Sequence, residues 1–302
     1  MNNRSVIITG ANTGLGLECA RAILARDESW HIVLAVRDVS RGAAAVAELG
    51  APDRCTVLAC DLASLASVHA FTTAVAAAGL PALHAVVCNA GLQVVSGLQM
   101  TADGVEITFG VNHLGHFALI EGLRAQLVAP ARIVMVASGT HDPKKFTGMP
   151  HPRYTTAEAL AHPQPDEPVD GRRRYTTSKL CNVLYTYELD RRLDHGGAGI
   201  TVTAFDPGLM PASSLSRDYT PLQKVVWRTV SPLLRALPNV NSLATSGTRL
   251  AALAIDPRFE GVTGEYFEGA KPIRSSAQSY DTALARDLWE TSERLTYGNI
   301  TR

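Results

Sequence analysis

Continuous runs of Val, Ile, Leu and Ala alternate along this chain with segments whose apolar residues recur at helical spacing, and no other feature restricts the fold as much. Residues 6–9 form an apolar run ended by a glycine-containing turn. Leu17, Ala20, Ile23 and Leu24 then place an apolar face on a helix over 15–26. Runs at 31–36, 55–60, 85–88, 131–137, 200–205 and 264–267 read as further strands. Helices are expected over 39–49, 67–78, 175–193, 243–255 and 282–295, and over most of 101–128. Strands that lack polar alternation are buried on both faces. Their alternation with helices predicts an α/β fold, a doubly wound parallel sheet of about seven strands with helices on both faces. No internal repeat or linker interrupts the pattern, so 1–302 is expected to be a single domain.

Two stretches break the rhythm. Residues 140–174 hold six of the sixteen prolines and predict an irregular excursion after the fifth strand. Residues 209–239 follow the sixth strand and carry Trp227 among apolar neighbours, which predicts a substrate lid or packing surface rather than a membrane helix. Both leave from carboxyl ends of strands, where ligands of open α/β sheets bind.

Composition removes several classes of function. The chain is 46% hydrophobic and 19% charged, too apolar for intrinsic disorder. Lys plus Arg and Asp plus Glu each number 28, so the basic footprint of a nucleic-acid binder is absent. Five scattered cysteines (Cys19, Cys55, Cys60, Cys88, Cys181) form no CxxC pair and predict neither disulfides nor zinc. Cys55 and Cys60 read as buried small hydrophobes. No signal peptide is legible, and the uncharged stretch 62–102 is broken at Gly79, Pro81 and Asn89, so no membrane span is expected. A cytoplasmic protein is the expectation.

Three groups of residues carry chemistry. Gly10-Ala11-Asn12-Thr13-Gly14-Leu15-Gly16 follows a strand and opens a helix, the context in which glycines let a backbone approach a pyrophosphate. The spacing is GxxxGxG rather than GxGxxG. At the end of the second strand, Val36 leaves empty the place of the acid that would read a ribose 2′-hydroxyl, and Arg37 follows. A guanidinium suits a 2′-phosphate, so NADP(H) is expected over NAD(H). Tyr175 and Lys179 stand four apart on one helix face, where an ammonium favours the phenolate and makes the tyrosine a usable acid–base. Ser138, just past the fifth strand, either hydrogen-bonds a substrate oxygen or caps a turn.

Taken together with Asp61-Leu62, Asn89-Ala90-Gly91, Asn112 and Pro207-Gly208, these residues resemble the short-chain dehydrogenase/reductase family nearly end to end, with a Rossmann-like fold. The segments 34–38, 101–104, 111–117, 140–143 and 178–184 resemble its retinol-dehydrogenase and light-dependent protochlorophyllide-reductase group. The resemblance implies that Tyr175 exchanges a proton with the substrate oxygen and Ser138 orients that oxygen. It implies that Lys179 holds the nicotinamide ribose and lowers the Tyr175 pKa, and that Asn112 anchors a water relaying protons to Lys179. Gly10, Asn12, Thr13, Gly14, Leu15, Gly16 and Arg37 would take the phosphates. Asp61 and Leu62 would border the adenine, Asn89, Ala90 and Gly91 the adenosine ribose, and Pro207, Gly208 and Leu209 the nicotinamide. The carboxamide-binding Thr of many relatives is Ala212 here, with Ser213 beside it.

The expected activity is NADPH-dependent interconversion of a carbonyl and an alcohol on a hydrophobic small molecule. The pigment reductases carry a cysteine where this chain has Leu209, usually Thr where it has Ser138, and a longer segment than 140–174. These departures disfavour the alternative, light-driven double-bond reduction. A non-catalytic dinucleotide sensor would not need the complete Asn112–Ser138–Tyr175–Lys179 set. Relatives pair into homodimers or homotetramers through the helices carrying Asn112 and Tyr175, although some are monomers. His113, His116, His141, His151 and His162 are not expected to bind metal. Arg172-Arg173-Arg174 reads as a solvated run that could meet an anionic substrate group.

Overall fold

The computed structural model describes residues 3–164, 170–210 and 241–298. Most of the expected lid, with Ala212, Ser213 and Trp227, lies outside these residues, as do Pro165 and Pro168. The strands are β1 Arg4–Thr9, β2 Trp30–Val36, β3 Cys55–Ala59, β4 Ala82–Cys88, β5 Leu127–Val136, β6 Ile200–Asp206, β7 Glu265–Glu268 and β8 Lys271–Ile273. They form a single sheet in the order β3-β2-β1-β4-β5-β6-β7-β8, parallel except for β8. The sheet therefore has eight strands rather than about seven. The extra one is a three-residue antiparallel edge strand containing Pro272, too short to show a period.

Successive side chains on a strand point to opposite faces, so each central strand feeds two cores. Ile7, Val86, Cys88, Ile133 and Met135 face one, and Val6, Ile8, Ala85, Val87 and Val134 face the other. The second core is closed by α1 (Gly14–Arg26), α2 (Val39–Leu49) and α8 (Leu243–Ile255). The first is closed by α3 (Leu65–Ala77), α4 (Ile107–Phe109), α5 (Gly115–Leu123), α7 (Gly171–Arg192) and α9 (Thr282–Tyr297). Trp289 of α9 stacks on Tyr185 at 5.8 Å and meets Phe117 edge-on at 5.0 Å. The helices expected to pair between subunits are thus covered within the chain, and α9 turns Arg286, Glu290 and Glu293 outward.

Two further expectations are corrected, while that of a mostly helical 101–128 holds: helical backbone covers 107–126, after a turn closed by Gly104 N–H to Thr101 O and a cap in which Glu106 accepts from Phe109 N–H. The next strand already begins at Leu127. The excursion 140–174 contains a short helix, α6 (Ala157–Ala161), and α7 starts before residue 175. Cys55 is only half-buried, because β3 is an edge strand with cover missing on one side, whereas Cys60 is buried.

Candidate active site

A cleft of about 1160 Å³ opens at the carboxyl ends of the parallel strands. It is lined by every residue proposed above for cofactor or catalysis except Gly16 and Asn112, which lie behind its wall. At one end stands the turn between β1 and α1. Gly10 has φ +66°, a left-handed conformation that a side chain would strain, and a Cβ there would come 3.2 Å from the Ala90 Cα. A Cβ on Gly16 would stand 2.6 Å from Asn89 Nδ2 and 2.7 Å from Gly10 O. Asn89 holds the turn by donating Nδ2–H to Thr9 O at 2.8 Å. Thr13 precedes α1 without a side-chain cap, so the first amides of that helix stay open to an anion.

Beyond this turn the cleft passes Arg37, Asp38 and Arg41. Asp38 caps α2 by accepting from Arg41 N–H at 3.1 Å, which commits its carboxylate to the helix. Among the described residues no carboxylate lies within ion-pair distance of Arg37. Asp61 accepts from Ala63 N–H at 3.0 Å, and Leu62 packs so closely on Gly115 that a Cβ there would meet Leu62 O at 2.5 Å.

The other end is built where α7 crosses β5. Lys179 Nζ donates to Val136 O at 3.0 Å and lies 5.6 Å from the centroid of the Tyr175 ring. Burial pulls the Lys179 pKa down to about 8, while Asp206 works in the opposite direction. Ser138 lines the cleft and caps a short turn, its Oγ accepting from Thr140 N–H and O–H. Asn112 sits in the π-helical turn Gly110–Leu114, a distortion frequent at functional sites. Its Nδ2 donates to Leu92 O and Ser178 Oγ, both at 2.9 Å, and its Oδ1 accepts from Leu92 N–H at 2.8 Å. A Cβ on Gly91 would lie 3.3 Å from Asn112 Oδ1 and 3.6 Å from Lys179 Nζ, so both groups border the space this glycine leaves. Pro207 and Gly208 are anchored to α8, Pro207 O accepting from Ser246 Oγ–H at 2.8 Å and Asn241 Nδ2–H at 3.1 Å.

His113, His116 and His141 are buried and hydrogen-bonded, while His151 is exposed. His116 Nε2 lies 2.9 Å from Thr9 Oγ1 and its Nδ1 3.2 Å from Asn112 O, which ties the glycine turn to the π-turn. His113 meets Ser292, His141 meets Ser138 O, and His162 meets Glu158. Burial lowers His113 to about 3 and His116 to about 4. An unfolded histidine titrates near 6.5, so between these values the unfolded chain takes up protons the folded one refuses. Stability is therefore complete above about pH 6.5 and declines as the pH falls towards 4. Thermal melts should show that decline, and His116→Gln should flatten it. Equal slopes would remove His116 as its source.

Several lining residues escaped the sequence reading. Arg41 stands in the first turn of α2, four residues after Arg37, which precedes that helix. Of the basic run 172–174, read as solvated or able to meet an anionic group, Arg172 lines the cleft, while Arg173 pairs with Asp170. Phe146, Lys145, Asp206 and Glu268 reach the cleft from three separate elements, and no local pattern marks them.

Such a glycine turn, facing a tyrosine–lysine pair across one cleft of a doubly wound sheet, defines a dinucleotide-dependent oxidoreductase. The model of the short chain dehydrogenase family matches residues 4–153. The protochlorophyllide reductase of Avena sativa is 36% identical over 96% of this chain and 98% of its own length. A WW domain-containing oxidoreductase of Danio rerio is 35% identical over 98% of this chain and 69% of its own. The crystal structure of a putative uncharacterized protein from Mycobacterium paratuberculosis superimposes with TM-score 0.71 and 30% identity, covering 97% of this chain and 93% of that one. The chain belongs to the short-chain dehydrogenase/reductase family, whose fold binds a nicotinamide dinucleotide.

Proposed function

We propose that the protein is an NADPH-dependent oxidoreductase that interconverts a carbonyl and an alcohol on a hydrophobic substrate. The observation that carries this reading is the convergence of Ser138, Tyr175 and Lys179 on the cleft that also holds the glycine turn. The residues present fit the cofactor: Gly14 lines the cleft with no atom within 4 Å of where a Cβ would stand, Gly10 and Gly16 let the turn close tightly on Ala90 and Asn89, and the α1 amides beside it are uncapped. The Gly10–Gly16 turn, Arg37, Asp61, Leu62, Asn89–Gly91 and Pro207–Leu209 would hold it. When bound, the nicotinamide supplies the hydride.

The protein supplies position and proton. Ser138 Oγ–H orients the substrate oxygen, and the Tyr175 hydroxyl gives that oxygen its proton. Lys179 stabilises the phenolate that remains. Reprotonation runs through the space bordered by Asn112 Oδ1 and Lys179 Nζ, where one water would join the two. The alcohol-to-carbonyl direction reverses these steps. Phe146, fully exposed at the cleft, and the half-exposed Leu209 favour an apolar substrate. Leu209 also offers no thiol at the position where the pigment reductases carry one. Five free cysteines, four of them buried, suit the reducing cytoplasm.

Preference for NADP(H) rests on Arg37, with Arg41 beside it and Asp38 committed to its helix. Arg37→Ala should raise the KM for NADPH about tenfold, the scale of one charge-assisted hydrogen bond, and leave that for NADH nearly unchanged. Equal effects on both cofactors would refute a 2′-phosphate contact. The reading as a whole is tested by cofactor oxidation in the dark, NADPH beside NADH, over hydrophobic ketones and aldehydes. Turnover with NADPH preferred is the expected result. Tight NADPH binding without turnover, or turnover only under illumination, would overturn it.

A further inference from the structure

We propose that Asp206 is a positioning residue of this reaction, its carboxylate holding the Pro207–Gly208 turn beside the Ser138 turn and placing a negative charge across the end of β5 from Lys179. The inference rests on the carbonyl–alcohol reading for its kinetic part only. Asp206 ends β6 and is 3% exposed, yet it lines the cleft floor. Its Oδ1 accepts from Gly208 N–H at 2.9 Å and its Oδ2 from the Tyr266 hydroxyl at 3.0 Å. Lys145 Nζ lies 3.8 Å from the same Oδ2 while bonded to Glu268. All of these contacts are donors, as a carboxylate requires. The residue after Ser138 lies directly on it: a Cβ on Gly139 would come 2.9 Å from Oδ2. One side chain therefore touches the turn that carries the substrate-orienting serine, the turn that faces the nicotinamide, and β7.

The same carboxylate stands across the end of β5 from Lys179. Lys179 holds Val136 O, Val136 pairs with Phe205, and Asp206 comes next. A buried ammonium hydrogen-bonded to a backbone carbonyl is costly, and an opposite charge offsets that cost. The other groups facing Lys179 are Tyr175 on its own helix and His116 on α5, which burial keeps neutral. Those facing Asp206 are Lys145 and His141 from the 138–145 segment and Tyr266 and Glu268 from β7. Lys145 is shared between Glu268 and Asp206, so its positive charge competes with Lys179 for the negative charge of Asp206. Removing that negative charge leaves burial unopposed, and Lys179 should lose its proton at a lower pH. Removing Lys145 takes away a competing positive charge and should do the reverse.

The test uses the full chain with ε-13C-labelled lysine, the Lys179 signal being identified by its loss in Lys179→Arg. In Asp206→Asn the Lys179 titration midpoint should fall by about one pH unit. In Lys145→Gln it should rise, and in Asp206→Glu it should stay near that of the parent. In carbonyl reduction the alkaline limb of kcat/KM should move in the same directions. At pH near 8, Asp206→Asn should lower kcat about fivefold without weakening NADPH binding. A Lys179 midpoint that ignores both Asp206→Asn and Lys145→Gln overturns the proposal, even if kcat falls. Should Asp206→Asn not fold, Asp206→Ser removes the same charge, and the same downward shift of the Lys179 midpoint decides in its place. If the parent enzyme turns over no carbonyl, the functional reading fails, while the NMR midpoints still judge Asp206.

Discussion

Tyr175→Phe should lower kcat for carbonyl reduction about a thousandfold, within the range that a positioned general acid contributes. The substitution removes one hydroxyl and keeps the ring, which is 6% exposed, in the first half of α7. The Lys179 ammonium, 5.6 Å from the ring centroid, should stay in place, because it donates a hydrogen bond to Val136 O that the substitution leaves untouched. NADPH affinity, read by fluorescence titration, is therefore expected to be unchanged, and the loss should fall on kcat and kcat/KM alike. Ordinary turnover by this variant would assign the proton to another group. Loss of NADPH binding would make Tyr175 a cofactor ligand before an acid.

Gly171→Ala is expected to have the largest effect on stability. In an open helix this change gains about 0.8–1 kcal/mol, because alanine is the better helix former. Here a Cβ would stand 1.7 Å from Val94 O and 2.8 Å from Val94 C, backbone atoms that cannot rotate away. The clash decides the sign, and the cost should reach or exceed the ~1–3 kcal/mol of ordinary overpacking. A fall in Tm of roughly 6–12 °C follows for a chain of this size. Since Gly171 opens α7 four residues before Tyr175, kcat should fall with it as the helix start is pushed from the 93–95 segment. A higher Tm would show that α7 and Val94 are further apart than this packing requires.

Much of the fold was legible because its signals are local. The apolar runs of β1, β2, β4, β5 and β6 are continuous because helices cover both sides, and they lie within a few residues of where the sequence puts them. Helix α8 matches its expected bounds, since Ser242 caps its start through Thr245 N–H and an apolar face recurs along it. The edge strand β8 was not legible: three residues have no period, and Tyr266 opposite Ile273 fixes its register.

The sequence by itself determined the alternation that requires a covered parallel sheet. It also determined the glycine turn and the Tyr175–Lys179 pair, because these depend on spacings of a few residues and on the geometry of one helix. Only the tertiary structure decided what meets them. Thr9 and His116 are 107 residues apart and hydrogen-bonded, and Asn112 reaches Ser178 across 66. Asp206, Tyr266 and Gly139 become neighbours because β5, β6 and β7 lie side by side and end at the same cleft. Contacts of that kind depend on strand order and register, which no residue's local pattern encodes.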